Sequence, residues 1–128
     1  MQLSDILFII TGASLGAIIR YSITSQRLFI GSLPVGVLSV NVIGSIILGA
    51  FMVIVQLYGL DNKYILFTAI GFCGSLTTMS AFAFETANMI EDKEFYLMAF
   101  NIASNVGLSI IGIFIGRVLA SIILSKPW

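Results

Sequence analysis

The chain has 128 residues, of which 59% are hydrophobic and 9% charged, and its mean hydropathy is +1.10. Soluble domains carry about 25% charged residues, so the composition indicates an integral membrane protein with a single domain over residues 1–128. Basic and acidic residues balance at six each, which excludes a basic surface for nucleic acid. The chain has no histidine and one cysteine. It therefore lacks the usual general base and the means for a disulfide or a cysteine-rich metal site, and we expect no enzyme activity.

Four segments are long and apolar enough to cross a bilayer core of about 30 Å, which requires about 20 helical residues. They run from about Leu3 to Thr24, Leu33 to Tyr58, Tyr64 to Ile90 and Phe95 to Leu124. Pro34 falls in the predicted first turn of the second helix, where proline is tolerated. The sequence therefore predicts an all-α integral membrane protein with four transmembrane helices.

Glycine pairs four residues apart occur in the first and fourth predicted spans. They are Gly12 with Gly16 and Gly112 with Gly116. Small residues at this spacing let two helix backbones approach closely in a membrane. We interpret both pairs as helix-packing residues.

The third span is interrupted by polar residues, because residues 71–85 read GFCGSLTTMSAFAFE. Lipid offers no hydrogen bonds, so hydroxyl groups and loosened backbone at this depth must face protein or a water-filled path. The pattern predicts that the third helix is broken between Gly74 and Thr77. Carbonyl oxygens exposed by such a break are suitable ligands for Na⁺ or K⁺.

Polar residues also recur at helical spacing in two other spans. Asn41 and Ser45 share a face of the second helix, and Asn101, Asn105 and Ser109 form a stripe on the fourth. Amide and hydroxyl groups are neutral donors that can replace the hydration shell of a small anion, whereas fixed cations would hold it too tightly. We interpret these residues as a pore lining. The alternative is that they only hydrogen-bond neighbouring helices.

The basic residues are divided equally between the two ends of the predicted helices. One side carries Lys63, Arg117 and Lys126, and the other carries Arg20, Arg27 and Lys93. Without a charge difference the positive-inside rule sets no orientation. From this count we expect the chain to insert into the membrane in both orientations. A chain inserted both ways can pair with an inverted copy of itself. The alternative is a weak bias hidden by one misassigned residue at a helix end.

Three sequence blocks carry a family resemblance. Residues 12–21 read GASLGAIIRY, residues 34–45 read PVGVLSVNVIGS, and residues 71–85 form the third block. The second is similar to the pattern PxGTLxVNxxGS and the third to GFxGGxTTFSTFSxE. In this order and spacing they resemble the CrcB/Fluc family of fluoride channels over essentially the full chain.

The resemblance implies an antiparallel, dual-topology dimer with two fluoride pores and a structural Na⁺ at its centre. Backbone carbonyls of the third helix would hold the Na⁺, at Gly74 and Thr77. A vestibule arginine of the family falls on Arg20. The family's pore positions fall on Asn41, Met79, Phe82, Asn101, Asn105 and Ser109.

This chain departs from the family pattern at five positions. Met79 stands in place of a pore phenylalanine and Ser75 in place of a glycine. Hydroxyl residues of the pattern are replaced at Val37, Ala81 and Ala83. Some relatives act as heterodimers whose subunits each lose part of a pore. The expected partner is therefore a second copy of this chain or a paralogue.

The expected function is passive export of cytoplasmic fluoride through a multi-pass protein embedded in the lipid of the cytoplasmic membrane. A small dual-topology exporter is the main alternative, but such an exporter needs an acid at the membrane centre. The only acid of the first helix is Asp5, close to the helix end. A non-conducting assembly subunit is a third alternative, which the many inward-facing polar residues disfavour.

Overall fold

The computed structural model describes residues 2–26 and 28–124, and these form four apolar spans. Helix α1 covers Leu3–Thr24 and helix α2 covers Gly36–Tyr58. The third span runs over Asn62–Glu91, and the fourth is helix α5, Phe95–Leu124. The predicted all-α membrane architecture is confirmed, and so are the predicted ends of the first and last helices. Arg27 and Lys126, two residues of the charge count, lie outside the described residues.

The second helix begins later than predicted, because the residues before it form a small hairpin. Strand β1 is Phe29–Ile30, and it pairs antiparallel with strand β2, Leu33–Pro34. Gly31 has a positive φ of 61° in the connecting turn, a conformation that glycine adopts without a steric penalty. The placement of Pro34 in the first helical turn is therefore wrong: Pro34 belongs to β2.

The third span has three abutting helical segments before Thr77. Asn62–Ile65 is α-helical, Leu66–Cys73 is π-helical and Gly74–Leu76 is again α-helical. We call these three segments together α3. Helix α4 then covers Met79–Glu91.

Thr77 and Thr78, between α3 and α4, have extended backbone dihedrals. Their φ and ψ angles are −78° and 155° for Thr77, and −150° and 115° for Thr78. Gly74 is still helical, with φ −63° and ψ −28°. The Thr78 hydroxyl caps α4 by accepting the Ala81 N–H at 3.2 Å. Because their backbone is extended, the N–H and C=O groups of Thr77 and Thr78 lie among the helices and outside the regular helical bonding pattern.

Glycines bring α1 against α3. A Cβ atom at Gly12 would collide with the carbonyl oxygen of Phe67, and one at Gly16 with that of Phe72. From the other side, a Cβ at Gly71 would come within 2.6 Å of the Ile9 carbonyl oxygen. Side chains larger than hydrogen are excluded from this contact, which confirms the packing role of Gly12 and Gly16.

Helices α2 and α5 form a second close pair by the same means. A Cβ at Gly49 would collide with the Ile113 carbonyl oxygen, and one at Gly116 with that of Ile46. At Gly112 the nearest atom, a carbonyl oxygen of α2, would be 3.2 Å away. Two closely packed helix pairs result, and residues that lie between them form the candidate site.

Candidate functional site

A cavity of about 370 Å³ lies where α2, α3, α4 and α5 meet. Seven residues predicted for the site line it: Asn41, Gly74, Thr77, Met79, Phe82, Asn105 and Ser109. Two predicted residues, Asn101 and Arg20, are absent from the lining. Met79 is 73% exposed and Phe82 only 7%, so the cavity is closed by the phenylalanine on one side and open beside the methionine.

Asn41 of α2 is held by the extended backbone of Thr78. The Thr78 N–H donates to Asn41 Oδ1 at 2.8 Å, and Asn41 Nδ2 donates to the Thr78 carbonyl oxygen at 3.3 Å. In a continuous helix these backbone groups would bond within the helix. The side-chain amide therefore replaces helical partners, and the interruption fixes Asn41 at the cavity wall.

The amides continue as a chain of hydrogen bonds away from the cavity. Asn41 Nδ2 donates to Asn105 Oδ1 at 3.0 Å, and Asn105 Nδ2 donates to Asn101 Oδ1 at 2.9 Å and to the Asn101 carbonyl oxygen at 3.2 Å. Asn101 Nδ2 then donates to Thr86 Oγ1 at 3.1 Å, and Thr86 Oγ1 donates to the Phe82 carbonyl oxygen at 2.8 Å. We call this set of bonds, from Thr78 N–H to the Phe82 carbonyl, the amide relay.

The amide relay shows that the residues of the polar stripe have two different roles. Asn101 is completely buried and bonds α4 rather than facing the cavity. Both hydrogens of Asn105 Nδ2 are used by Asn101. The stripe therefore combines helix-to-helix bonding at Asn101 with cavity lining at Asn105 and Ser109.

Ser109 supplies a free polar atom. Its Oγ is buried and has no hydrogen-bond partner among residues 2–26 and 28–124, and the residue lines the cavity. A buried hydroxyl without a partner is destabilising by about 1–3 kcal/mol. A ligand that accepts a hydrogen bond in the cavity would remove this penalty, and an anion is the strongest acceptor of this kind.

Thr78 and Thr86 are site residues that the sequence interpretation did not select. Thr78 stood within the hydroxyl run of the third span, which was a visible signal. Thr86 was marked only by its position one helical turn after Phe82, a spacing that places its hydroxyl beside the Phe82 carbonyl.

Arg20 and Glu85 do not pair. In the described part of the chain the one ion pair joins Lys63 Nζ and Asp61 Oδ2, at 3.1 Å. Glu85 Oε2 is buried without a hydrogen-bond partner there. Glu85 lines a separate cavity of about 130 Å³ beside the β1–β2 hairpin, so it stands outside the cavity of Asn41 and Ser109.

The interruption also releases two backbone carbonyls. The Thr78 N–H, the helical partner of the Gly74 carbonyl, bonds Asn41 instead, and the Ala81 N–H, the partner of the Thr77 carbonyl, bonds the Thr78 hydroxyl. Among the bonds that turns, caps and contacts between elements make in residues 2–26 and 28–124, none reaches these two oxygens. No group of three or more acidic, cysteine or histidine residues that could hold a metal exists in the same part of the chain. Neutral carbonyl oxygens suit a hard monovalent cation better than a divalent one.

Four apolar spans around a cavity lined in part by amide and hydroxyl groups define a multi-pass protein of the cell membrane. The model of the family described as CrcB-like protein, Camphor Resistance (CrcB), matches residues 7–117. The chain belongs to this family, as the three sequence blocks indicated.

Related proteins cover nearly the whole chain. A protein of Nitrosopumilus maritimus (strain SCM1) is 50% identical over 122 residues, which span 95% of this chain and 97% of the relative. A protein of Sulfurihydrogenibium sp. (strain YO3AOP1) is 44% identical over 89% of this chain and 94% of the relative. One from Methanocaldococcus jannaschii is 39% identical over 93% and 96%. Each of the three is named a fluoride-specific ion channel FluC, a channel and not an enzyme.

Proposed function

We propose that this chain forms a fluoride-selective channel whose passage includes the cavity of Asn41 and Ser109. The observation that carries the proposal is the buried Ser109 hydroxyl, which has no partner in the described residues and lines the cavity. Fluoride is a small, hard acceptor that takes this hydrogen bond. The names of the related proteins support the choice of anion.

The donors of the cavity suit transient binding. Asn41 Nδ2 offers its second hydrogen to the Thr78 carbonyl at 3.3 Å, a long bond that an anion displaces at little cost. Among residues 2–26 and 28–124, no fixed positive charge lines the cavity, so the ion is bound weakly enough to leave. Phe82 and Met79 narrow the passage with apolar atoms. Chloride is larger than fluoride and a weaker hydrogen-bond acceptor, so it gains less binding free energy from the same donors.

Transport is passive and directed outward by the membrane potential. An inside-negative potential of 100 mV drives an anion outward with about 2.3 kcal/mol per charge. In the described part of the chain, the cavity lining contains no ionisable residue apart from the Cys73 thiol, so no carboxylate from these residues couples transport to protons.

The exporter alternative loses its only candidate acid on the first helix. Asp5 accepts the Gln2 N–H through Oδ2 at 2.8 Å and completes the N-terminal cap of α1. An acid used as a helix cap at the end of a span is unsuited to a coupling site at the membrane centre.

The chain works as an antiparallel dimer in this proposal. The equal division of basic residues supports two orientations. Met79 and Phe84 of α4 are 73% and 68% exposed, and Met79 also lines the cavity. A second subunit would cover both side chains. The partner is a second copy or a paralogue, and co-reconstitution with a paralogue distinguishes the two.

A structural Na⁺ at the centre of the dimer fits the residues of the interruption. The Gly74 and Thr77 carbonyl oxygens, freed from helical bonds, would hold it. A bound Na⁺ would offset the partial negative charge of these carbonyl oxygens. The Thr77 hydroxyl itself is already used, because it donates to the Cys73 carbonyl four residues earlier at 2.9 Å.

Fluoride efflux from liposomes that contain only this purified chain tests the function. A fluoride electrode outside the vesicles is expected to record efflux well above that of empty vesicles, whereas chloride efflux stays near background. Ser109→Ala is expected to slow fluoride efflux about tenfold, the factor that one hydrogen bond represents. Ser104→Ala is the matched control, because Ser104 lies on the same helix outside the cavity lining. Background efflux from the wild type, alone and with a paralogue, would refute the proposal.

A further inference from the structure

We infer that Thr86 and Asn101, although outside the cavity, are positioning residues that set the orientation of the Asn41 amide in it. The inference rests on the proposed function for its transport consequence. Its structural part, the amide relay, stands on the hydrogen bonds alone.

The relay has a fixed direction because its two ends cannot be exchanged. At one end the Thr78 backbone N–H only donates, so the accepting oxygen of Asn41 must face it. At the other end the Phe82 carbonyl only accepts, so the Thr86 hydroxyl must direct its hydrogen there and accept from Asn101. Every amide between these ends is thereby held in one of its two flip states.

The fixed direction determines what the cavity offers to an anion. Asn41 Nδ2 gives one hydrogen to Asn105 at 3.0 Å and the other to the Thr78 carbonyl at 3.3 Å. The second bond is the longest that any relay amide makes. The hydrogen held least firmly is thus on the residue that lines the cavity, where an anion can accept it.

Removing the Thr86 hydroxyl would release this order. Asn101 Nδ2 would lose its acceptor in a completely buried position, which favours a flip of the Asn101 amide. A flipped Asn101 no longer presents its oxygen to Asn105, and a flipped Asn105 turns its nitrogen toward the nitrogen of Asn41. Asn41 is then displaced, and its oxygen, an acceptor that repels anions, can face the cavity.

Three variants separate the hydroxyl from packing in the liposome assay. Thr86→Val keeps the shape and removes the hydroxyl, and it is expected to slow fluoride efflux about tenfold. Thr86→Ser restores the hydroxyl and is expected to stay within about twofold of the wild type. Thr11→Val is the matched control, because the Thr11 hydroxyl bonds only the carbonyls of its own helix, at 2.8 and 3.0 Å.

Side-chain amide NMR of asparagine-¹⁵N-labelled protein reads the relay without any transport. The Asn41 signals are identified by their loss in Asn41→Ala. Thr86→Val is expected to shift the NH₂ signals of Asn41 and Asn105, whereas Thr86→Ser and Thr11→Val leave both in place. Unshifted Asn41 signals in Thr86→Val would overturn the inference, and so would a serine variant as slow as the valine variant. If the wild type passed no fluoride, the proposed function would fail, and the amide shifts would still decide the relay.

Discussion

A negative charge at Met79 is expected to block the passage, because Met79 lines the cavity at its open side. A sphere of 370 Å³ has a radius of about 4.5 Å. At this distance two unit charges repel by about 3.7 kcal/mol at an effective dielectric constant of about 20, and across the full diameter by about half of that. At 1.36 kcal/mol per factor of ten, Met79→Asp should slow fluoride efflux by roughly 20-fold to 500-fold.

The control for this variant is Met79→Asn, because asparagine has nearly the same shape as aspartate but no charge. It is expected to lose far less flux, and Met79→Phe, which restores a ring at this position, should conduct at least as well as the wild type. Efflux is followed with the fluoride electrode in liposomes with equal amounts of protein. Normal efflux through Met79→Asp, or equal losses in the aspartate and asparagine variants, would show that an anion does not pass near this residue.

Four further outcomes are expected. Gly116→Ala forces a Cβ into the α2 backbone and should reduce stability in detergent by about 1–3 kcal/mol. Gly107→Ala should not, because among the described residues no atom beyond its chain neighbours and its own helix backbone lies within 4 Å of the added carbon; equal melting temperatures would contradict this packing. Asn105→Leu should cut fluoride efflux at least tenfold and leave the protein folded by size exclusion, and unaltered flux would favour a purely structural relay. Phe82→Ala should slow efflux more than Phe114→Ala, because Phe114 is 59% exposed on the outer surface; equal effects would remove Phe82 from the passage. Replacement of Na⁺ by N-methylglucamine should weaken the dimer or silence both pores together, without voltage-dependent block. An ordered dimer with no ion on its axis, in crystals grown with sodium, would argue against the sodium site.

The helices were predictable where uninterrupted apolar runs decided them. Leu3–Thr24 and Phe95–Leu124 begin and end as the sequence indicated. Pro34 was misleading, because proline fits both the first turn of a helix and the edge of a small sheet. The Gly31–Ser32 pair between β1 and β2 was an available hairpin signal.

The site was predictable in its members and less so in its bonding. Helical spacing placed Asn101 and Asn105 on one face, and both indeed lie on the inner side of α5. Spacing does not reveal how α5 is rotated about its axis or which helix faces it. The bond from Asn101 to Thr86 depends on that rotation, so a residue expected to line the cavity is buried against α4.

The π-helical stretch Leu66–Cys73 makes the third span sensitive to its residue count. A π-helix bonds each N–H to the fifth preceding carbonyl, so the same residues complete fewer turns than in an α-helix. Restoring α geometry, at about 100° per residue, without removing a residue would turn everything beyond the stretch further about the helix axis. Thr77, Thr78 and Met79 would then leave the wall they share with Asn41. A single-residue insertion between Leu66 and Cys73 should therefore be more damaging than apolar replacements at the same positions, and the number of residues in this stretch is a constraint separate from their identity.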